Sequence, residues 1–186
     1  MKIILASQSP RRKELIQQLG FPFEVRKFDF DESYPKELNR YDVSVFLALQ
    51  KSKQVKSLND DEVLLTADTV VILNDEILEK PTSLAEAKEM ITRLSNQTHD
   101  VITGVCLKSN KITESFSVKS TIHFAELTSK EIDYYVDTYQ PLDKAGAYGI
   151  QEWIGMIGVK KIVGSHYNVV GLPVHEIYQK IKEKFS

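Results

Sequence analysis

The chain is best understood from one stretch near its amino terminus, Ile3-Ile4-Leu5-Ala6-Ser7-Gln8-Ser9-Pro10-Arg11-Arg12-Lys13. The apolar part of this stretch has the length of a buried strand, and small polar residues follow it. Ser9 is suited to cap a helix that has Pro10 at its first position, and Gly20 is suited to end that helix. The stretch therefore predicts a strand, a polar turn and a helix.

The charge at the start of this helix is unusual. A helix start already carries partial positive charge, so acidic residues are common there, whereas this one adds Arg11, Arg12 and Lys13. A bound anion would stabilise the arrangement, and phosphate and carboxylate groups are the anions that helix starts bind. A basic turn that contacts only water is the alternative, but it leaves the serine-rich turn unexplained. The stretch thus predicts an anion-binding corner.

The composition limits the classes of protein to consider. The 186 residues suffice for a sizeable core, and a formal net charge of −2 does not favour a general binder of nucleic acid or membranes. Apolar runs fall far short of the ~20 residues of a membrane helix, and the amino terminus does not resemble a signal peptide. Cys106 is the single cysteine, and the histidines lack metal-ligand spacing, which favours structural or surface roles. We expect a single cytoplasmic domain over residues 1–186.

Strand and helix patterns alternate along the chain and predict an α/β fold with a mixed sheet. After the first strand, strands are predicted at residues 21–25, 62–66 continuing into 70–73, 101–107 and 115–124. Helices are predicted from Ser9 to Gly20, at 42–58, after Ser83, after Thr128 and from Pro173. The segment to Ile162 is open between strands and a short helix, and residues 164–171 are predicted as a loop. Ser83 with Glu86, and Thr128 with Glu131, predict capping boxes.

Asp68 is the most informative single residue, because it lies between two apolar runs. An ionised carboxylate is costly there unless it is paired, hydrogen-bonded or bound to a metal. The structural explanation is a buried salt bridge, and the functional one is a metal ligand or general base exposed at a strand end. Glu32 is a second possible acid for a metal, although acidic loops are usually solvated.

Cations at apolar or helix-start positions extend this argument. They are Arg11, Arg12, Lys51 and Lys80. Gln151 follows a glycine-rich turn, where its amide could bind the edge of a base or satisfy local backbone groups. Asp143 and Lys144 could simply pair with each other. Common phosphate-loop, dinucleotide and zinc-hydrolase motifs are missing, so these residues alone indicate only a metal-assisted enzyme that acts on phosphates.

Taken together, these motifs resemble the Maf family of nucleoside triphosphate pyrophosphatases, which is more distantly similar to the inosine triphosphatase group. The matching segments follow the same order over nearly the whole chain and are residues 5–12 with 14–15, 32, 48–51, 67–71, 80–81, 98–105, 143–151 and 168–173. The resemblance implies a mixed sheet flanked by helices, with a central substrate cleft. It also implies a homodimer.

The resemblance implies hydrolysis of a nucleoside triphosphate between the α- and β-phosphates, with a divalent cation, Mg²⁺ or Mn²⁺, as cofactor. It assigns to Asp68 the role of proton acceptor that activates water, and it places Asp68 and Glu32 near the metal. The residues that would hold the phosphates are Ser9, Arg12, Lys51 and Lys80.

Substrate preference within the family depends on the positions that correspond to Arg11, Thr69 and Gln151. These residues resemble the branch that acts on dTTP and UTP, whereas the branch acting on 7-methyl-GTP has a Glu in place of this Gln. Glu79 and Glu152 replace glycines that are usual in the family, and their negative charge could weaken triphosphate binding or shift base preference. The alternatives are a purine-directed or non-selective pyrophosphatase and a non-catalytic nucleotide-sensing regulator of cell division. Modified pyrimidine nucleotides are also possible substrates.

Overall fold

The computed structural model of the protein describes residues 1–185, which form one mixed sheet and a set of surrounding helices. The strands are β1 (Lys2–Leu5), β2 (Phe23–Val25), β3 (Glu62–Leu73), β4 (Glu76–Leu78), β5 (Thr98–Lys108), β6 (Thr113–Phe124) and β7 (Val159–Val163). The helices are α1 (Pro10–Gln18), α2 (Val43–Gln54), α3 (Leu84–Leu94), α4 (Ser129–Tyr139), α5 (Trp153–Gly158), α6 (His166–Val170) and α7 (Val174–Lys184), with a 3-10 turn at Ala145–Ala147. Within residues 1–185, every helix is too short or too polar to span a bilayer.

The sheet has the strand order β2-β1-β3-β5-β6-β7, and β4 pairs with the far part of β3. β1 is parallel to β2 and to β3, so that Ile3 lies opposite Phe23 on one side and Val63 on the other. β4 is antiparallel to β3, and β7 is antiparallel to β6. The predicted α/β class with a mixed sheet flanked by helices is confirmed.

The contacts divide the chain into two compact units. The first unit comprises residues 1–69, residues 103–118 and the segment from Gly171 onward, and the second comprises residues 70–102 and 119–170. Strands β3, β5 and β6 therefore contribute residues to both. That residues 1–186 form a single domain stays a prediction.

The core of the first unit is built around β1. Ile3, Ile4 and Leu5 are wholly buried, as expected for a parallel strand covered on both faces. Helix α2 packs directly on β5 in this unit, because a Cβ placed on Gly104 would lie 2.2 Å from the backbone carbonyl carbon of Ser44. This close approach lies in the first turn of α2, and the last turn of the same helix carries Lys51.

The core of the second unit joins the inner faces of α3 and α4 to the sheet. The aromatic ring of Tyr135 is completely buried there. Other buried members of this core include Leu78, Ile91, Leu94, Ile122, Phe124, Val136, Tyr148 and Ile154.

The predicted helix starts are confirmed, with one difference. The Ser9 hydroxyl caps α1 by accepting from the Arg12 N–H at 3.4 Å, and Thr128 with Glu131 forms a complete capping box at α4. Ser83 caps α3, but the Glu86 carboxylate accepts from the N–H and hydroxyl of Thr82 at 2.6 Å instead of from Ser83. The second half of that predicted capping box is therefore wrong, since Thr82, one residue earlier, offers Glu86 two donors, its N–H and its hydroxyl.

Two predicted boundaries are wrong for reasons of tertiary packing. Asp68 does not lie at an exposed strand end, since β3 is one strand from Glu62 to Leu73 that pairs with β1 at residues 62–65 and with β4 at residues 71–73. α2 ends at Gln54, four residues before the predicted boundary at Leu58. The ammonium of Lys108 accounts for this end, because it donates to the carbonyl oxygens of Ser52 and Val55.

The region after residue 152 contains more regular structure than predicted. The undecided segment forms α5 followed by β7, and the predicted loop at residues 164–171 contains the short helix α6. The buried amide of Asn168 holds α6 in place by donating to the Val101 carbonyl at 3.1 Å and to the Ser120 hydroxyl at 3.0 Å. In α7, Ile177 and Ile181 are buried and Tyr178 is exposed.

Candidate active site

Lys51, Asp68 and Glu32 form an ionic cluster in the first unit. The Lys51 ammonium lies 2.7 Å from Asp68 Oδ1 and 2.7 Å from Glu32 Oε1, so these two oxygens are no more than twice that distance apart. The Lys51 side chain is only 5% exposed, and those of Asp68 and Glu32 are 15% and 53% exposed. Burying an ammonium is costly unless opposite charge accompanies it, and here two carboxylates do so. Three of the predicted site residues are thus brought together.

The cluster also bears on the predicted metal. Among the described residues there is no group of three or more His, Cys, Asp or Glu side chains that could hold an ion. Glu32 and Asp68 nevertheless supply two carboxylates that flank one cation, the Lys51 ammonium. Mg²⁺ is commonly held by one or two carboxylates, with water and substrate phosphates completing its shell. The donor set therefore fits a cation that is bound together with the substrate.

The Arg12 guanidinium connects α1 to both residues that flank Asp68. It donates from Nη1 to the Ala67 carbonyl at 2.8 Å, from Nη2 to Thr69 Oγ1 at 3.0 Å and from Nε to the Gly171 carbonyl at 2.9 Å. Burial lowers the pKa of Arg12, and the negative charge of Asp68 acts in the opposite direction. At least three of its five N–H groups therefore bind protein oxygen atoms, and Arg12 positions this part of β3 in addition to its predicted phosphate-binding role.

Thr103 belongs to the same hydrogen-bonded set and was not predicted as a site residue. Its hydroxyl lies 2.9 Å from that of Thr69, which in turn accepts from Arg12. Thr103 is wholly buried on β5. Its signal in the sequence is a single hydroxyl within the apolar run at residues 101–107, which by itself does not identify a partner.

The anion-binding corner predicted at the start of α1 has the expected local form. Ser9 is half-buried and caps the helix, while its own N–H donates to the Ser7 hydroxyl at 3.2 Å. Arg11 is half-buried and Lys13 is exposed, and the first turn contains no acidic residue. The corner therefore combines a helix start, small polar side chains and positive charge, which is the chemistry that binds phosphate.

Lys80 and Gln151 belong to the second unit and are both exposed. Their two segments are joined by a backbone hydrogen bond from the Gly146 N–H to the Glu79 carbonyl at 3.2 Å. Glu79 itself is exposed. The structure thus connects the segment carrying Lys80 with the loop that leads to Gln151.

The loop that leads to Gln151 is held by charged side chains. Asp143 and Lys144 are paired at 2.7 Å, as predicted, and the Lys144 ammonium is also 3.1 Å from Glu152. The hydroxyl of Tyr135 donates to the other Glu152 oxygen. The negative charge at position 152 is therefore compensated within the protein, which sequence reasoning did not foresee.

The histidine of this unit that lies deepest has a structural role, as expected from the sequence. His99 Nε2 is 2.7 Å from the Tyr148 hydroxyl, and Nδ1 has no hydrogen-bond partner among residues 1–185. Burial lowers the pKa of His99 to about 4. The ring is therefore neutral at physiological pH.

Comparisons with known proteins show which family this chain resembles. A family model described as Maf-like protein matches residues 2–184. A protein named dTTP/UTP pyrophosphatase from Parabacteroides distasonis is 49% identical over 183 residues, covering 97% of this chain and 95% of the relative. Proteins with the same name from Porphyromonas gingivalis (48% identity; 98% and 94% covered) and Christiangramia forsetii (45%; 100% and 95%) are also similar.

Two solved structures share the fold at low sequence identity. A HAM1 protein from Coxiella burnetii has a TM-score of 0.55 at 15% identity, with 98% of this chain and 99% of that chain covered. The Staphylococcus aureus Ham1 protein has a TM-score of 0.51 at 15% identity, with 68% and 73% covered. At this identity the likeness concerns the fold alone.

Proposed function

The chain belongs to the Maf-like protein family, and on this basis we propose that it is a nucleoside triphosphate pyrophosphatase that prefers dTTP and UTP. The products would be the nucleoside monophosphate and pyrophosphate, and modified pyrimidine nucleotides are included among the proposed substrates. Relatives that are 45–49% identical over nearly the whole chain carry the name dTTP/UTP pyrophosphatase, which supports this proposal.

The observation that carries the proposal is the ion pair between Lys51 and Asp68. The buried ammonium of Lys51 holds the Asp68 carboxylate in a fixed orientation, which is what a general base requires. We propose that Asp68 takes a proton from a water molecule while the water oxygen forms a bond to the α-phosphorus. The bond from that phosphorus to the bridging oxygen breaks, and pyrophosphate leaves with the electron pair.

Positive groups would hold the triphosphate during this step. We propose that Ser9 and the start of α1 bind phosphate oxygens together with Arg12, Lys51 and Lys80. Such groups act mainly by stabilising the negative charge that grows on the leaving pyrophosphate. Glu32 is the more exposed partner of Lys51, so it can release the ammonium to an arriving phosphate at less cost than Asp68.

A divalent cation, Mg²⁺ or Mn²⁺, would be held by Glu32 and Asp68 along with substrate oxygens. When bound, such an ion supplies positive charge for the leaving group and orients the phosphates. Base preference is assigned to Arg11, Thr69 and Gln151. An amide that pairs with the edge of a base rejects the wrong base, because buried polar groups are then left unpaired.

Further properties are proposed on the same basis. We propose a cytoplasmic location, which fits the single buried thiol of Cys106, and a homodimeric assembly without nucleic-acid or membrane partners. Sedimentation equilibrium of the purified chain would test the assembly.

The proposed function is tested by measuring pyrophosphate release from a panel of nucleoside triphosphates, with Mg²⁺ or Mn²⁺ and with a chelator. Release that needs the metal and is fastest from dTTP and UTP is expected. Asp68→Asn should abolish turnover and keep nucleotide binding, whereas Asp61→Asn, an exposed residue just before β3, should behave as wild type. Fast release from a purine triphosphate would overturn the base preference and keep the chemistry. Nucleotide binding without release from any substrate would overturn the enzymatic proposal in favour of a sensor.

A further inference from the structure

We propose that Tyr135, Glu152 and Lys144 form a positioning network that holds Gln151 for base recognition, and that this network sets the strength of the base preference. The inference rests on the proposed function, in which Gln151 binds the base. All of these residues belong to the second unit.

The network begins at a buried hydroxyl on α4. Tyr135 is completely buried, and its hydroxyl donates to Glu152 Oε2 while accepting from the Gly149 N–H at 3.0 Å. Burial and the nearby carboxylate raise the pKa of Tyr135, so the hydroxyl keeps its proton and remains a donor. One hydroxyl thus holds two points of the loop, on either side of Gln151.

The second oxygen of Glu152 is held from the opposite end of the loop. Lys144 is 8% exposed, and its ammonium is 3.1 Å from Glu152 Oε1 and 2.7 Å from Asp143 Oδ1. A buried cation between two carboxylates is expensive to separate, because each separation leaves a charge without its partner. Glu152 directly follows Gln151, so this ion pair joins the chain beside Gln151 to residues 143–144.

The backbone around Gln151 is held in a turn. The Glu152 N–H donates to the Gly149 carbonyl at 3.0 Å, so Ile150 and Gln151 occupy the centre of this turn. Ile150 is buried and Gln151 is exposed. The turn and the network together restrain the main chain from which the Gln151 amide projects.

Gly149 shows how closely the polar side chains approach this turn. A Cβ placed on it would lie 2.8 Å from Glu152 Oε2 and 3.0 Å from Gln151 Nε2. The space above Gly149 is therefore taken by the Glu152 carboxylate and the Gln151 amide. Since Tyr135 and Lys144 hold the Glu152 carboxylate in place, the Gln151 amide beside it can adopt only a restricted range of orientations.

This arrangement has a functional consequence. Discrimination between bases requires that a mismatched base leaves the amide unpaired, and a mobile amide avoids that cost by turning away. Loss of the network should therefore reduce the preference for the favoured base more than it reduces catalysis. The phosphate-binding residues assigned to the first unit should be unaffected.

The test compares Tyr135→Phe and Glu152→Gln with a matched control. Tyr134→Phe removes a hydroxyl from the adjacent, exposed position of the same helix. For each protein, kcat and KM are measured with UTP, dTTP, CTP and GTP. Inorganic tripolyphosphate, which has phosphates and no base, is measured as a competitive inhibitor.

For Tyr135→Phe, the ratio of kcat/KM between the favoured pyrimidine and GTP should fall roughly tenfold, as expected when a hydrogen bond to a charged group is removed. The change should lie in KM, and the tripolyphosphate inhibition constant should stay as in wild type. Glu152→Gln should act in the same direction, and Tyr134→Phe should have no effect. In the Gln151→Ala background, Tyr135→Phe should cause no further loss of preference, since the two residues then act as one unit.

Three results would overturn the inference. If wild type discriminates between bases and Tyr135→Phe keeps its ratio, the network has no role in recognition and the proposed function stands. If KM for every nucleotide and the tripolyphosphate inhibition constant rise together, Tyr135 has only a general structural role. If wild type hydrolyses no nucleotide, the proposed function fails and this inference fails with it.

Discussion

Lys51 on the last turn of α2 and Asp68 in the middle of β3 are joined by an ion pair of 2.7 Å. Because Lys51 contacts Glu32 at the same distance, the cation links an interior carboxylate to one at the surface. The same ammonium therefore compensates the charge of both carboxylates and lies directly beside the proposed base.

Replacing Lys51 by Met should remove activity and weaken the fold. The carboxylates of Asp68 and Glu32 lose their shared counter-ion, and we expect a loss of roughly 2 kcal/mol in the free energy of unfolding, less than for a wholly buried pair. Loss of one positive group at the phosphates should lower kcat/KM by roughly 100-fold. Urea denaturation and pyrophosphate release measure both effects. Lys53→Met, at an exposed position of the same helix, is the control, and equal behaviour of the two variants would contradict the prediction.

Replacing Arg12 by Lys should be poorly tolerated although the charge is kept. A lysine cannot donate at once to the carbonyl oxygens of Ala67 and Gly171 and to the Thr69 hydroxyl. We expect the free energy of unfolding to fall by about 3 kcal/mol, because acceptors that were paired lose their donor. Lys13→Arg, the reverse exchange at an exposed neighbouring position, should stay within about 0.5 kcal/mol of wild type. A stable Arg12→Lys protein would show that this fork of hydrogen bonds contributes little.

His99 should make the stability depend on pH. Its pKa is lowered from the ordinary 6.5 to about 4 in the folded protein, so between these values the unfolded chain binds a proton that the folded chain does not. The free energy of unfolding should therefore fall as the pH drops below 6.5, by about 2 kcal/mol between pH 7 and pH 5. Urea denaturation at each pH measures this slope.

A histidine on the surface provides the comparison for His99. His99→Gln should flatten the pH dependence in this range, whereas His175→Gln, at an exposed position of α7, should keep it. Carboxylates with a lowered pKa, such as Glu24 at about 2, lose their contribution to the free energy of unfolding at a lower pH than His99 does. The slope measured between pH 7 and pH 5 therefore reports mainly on His99. An unchanged slope in His99→Gln would assign the effect to another group.

Gly104 should accept no side chain. A Cβ at this position would lie 2.2 Å from the backbone of Ser44 and of Val45, and neither helix backbone nor strand can move that far without repacking. Gly104→Ala should lower the free energy of unfolding by about 3 kcal/mol or more. At Gly158 the nearest atom would be a Leu127 methyl at 3.4 Å, so Gly158→Ala should unfold as wild type does. Soluble yield and urea denaturation compare the two, and a fully stable Gly104→Ala protein would refute the direct packing of α2 on β5.

Several features of the fold follow from patterns within a few residues of each other. Ser9 with Pro10 predicted the start of α1, and Thr128 with Glu131 predicted the capping box of α4. Hydrogen bonds at a helix start join residues about three positions apart, so both partners lie within one short stretch of sequence. The α/β class could be predicted for the same reason. Apolar residues recur at different spacings in helices and in strands, and a short stretch of sequence is enough to distinguish the two.

The candidate site could be predicted as a set of residues but not as an arrangement. The sequence indicated Asp68 and Lys51 separately, one as an acid between apolar runs and one as a cation at an otherwise apolar position, and their ion pair appeared only in the structure. The placement of Asp68 at a strand end was wrong, since β3 continues through it from the part paired with β1 to the part paired with β4. Strand ends depend on neighbouring strands, which a local pattern does not contain.

The contacts that distinguish this molecule join residues that are far apart in the chain. Arg12 donates to two residues that are 55 and 159 positions away in the chain. Tyr135 on α4 donates to Glu152, which directly precedes α5. Local spacing and charge were enough to predict the helix caps, the class of the fold and the residues that could carry phosphate chemistry. Which acceptor each of those residues contacts depended on strand order and helix packing, because a hydrogen bond or ion pair exists only where the folded backbone brings two groups within about 3 Å.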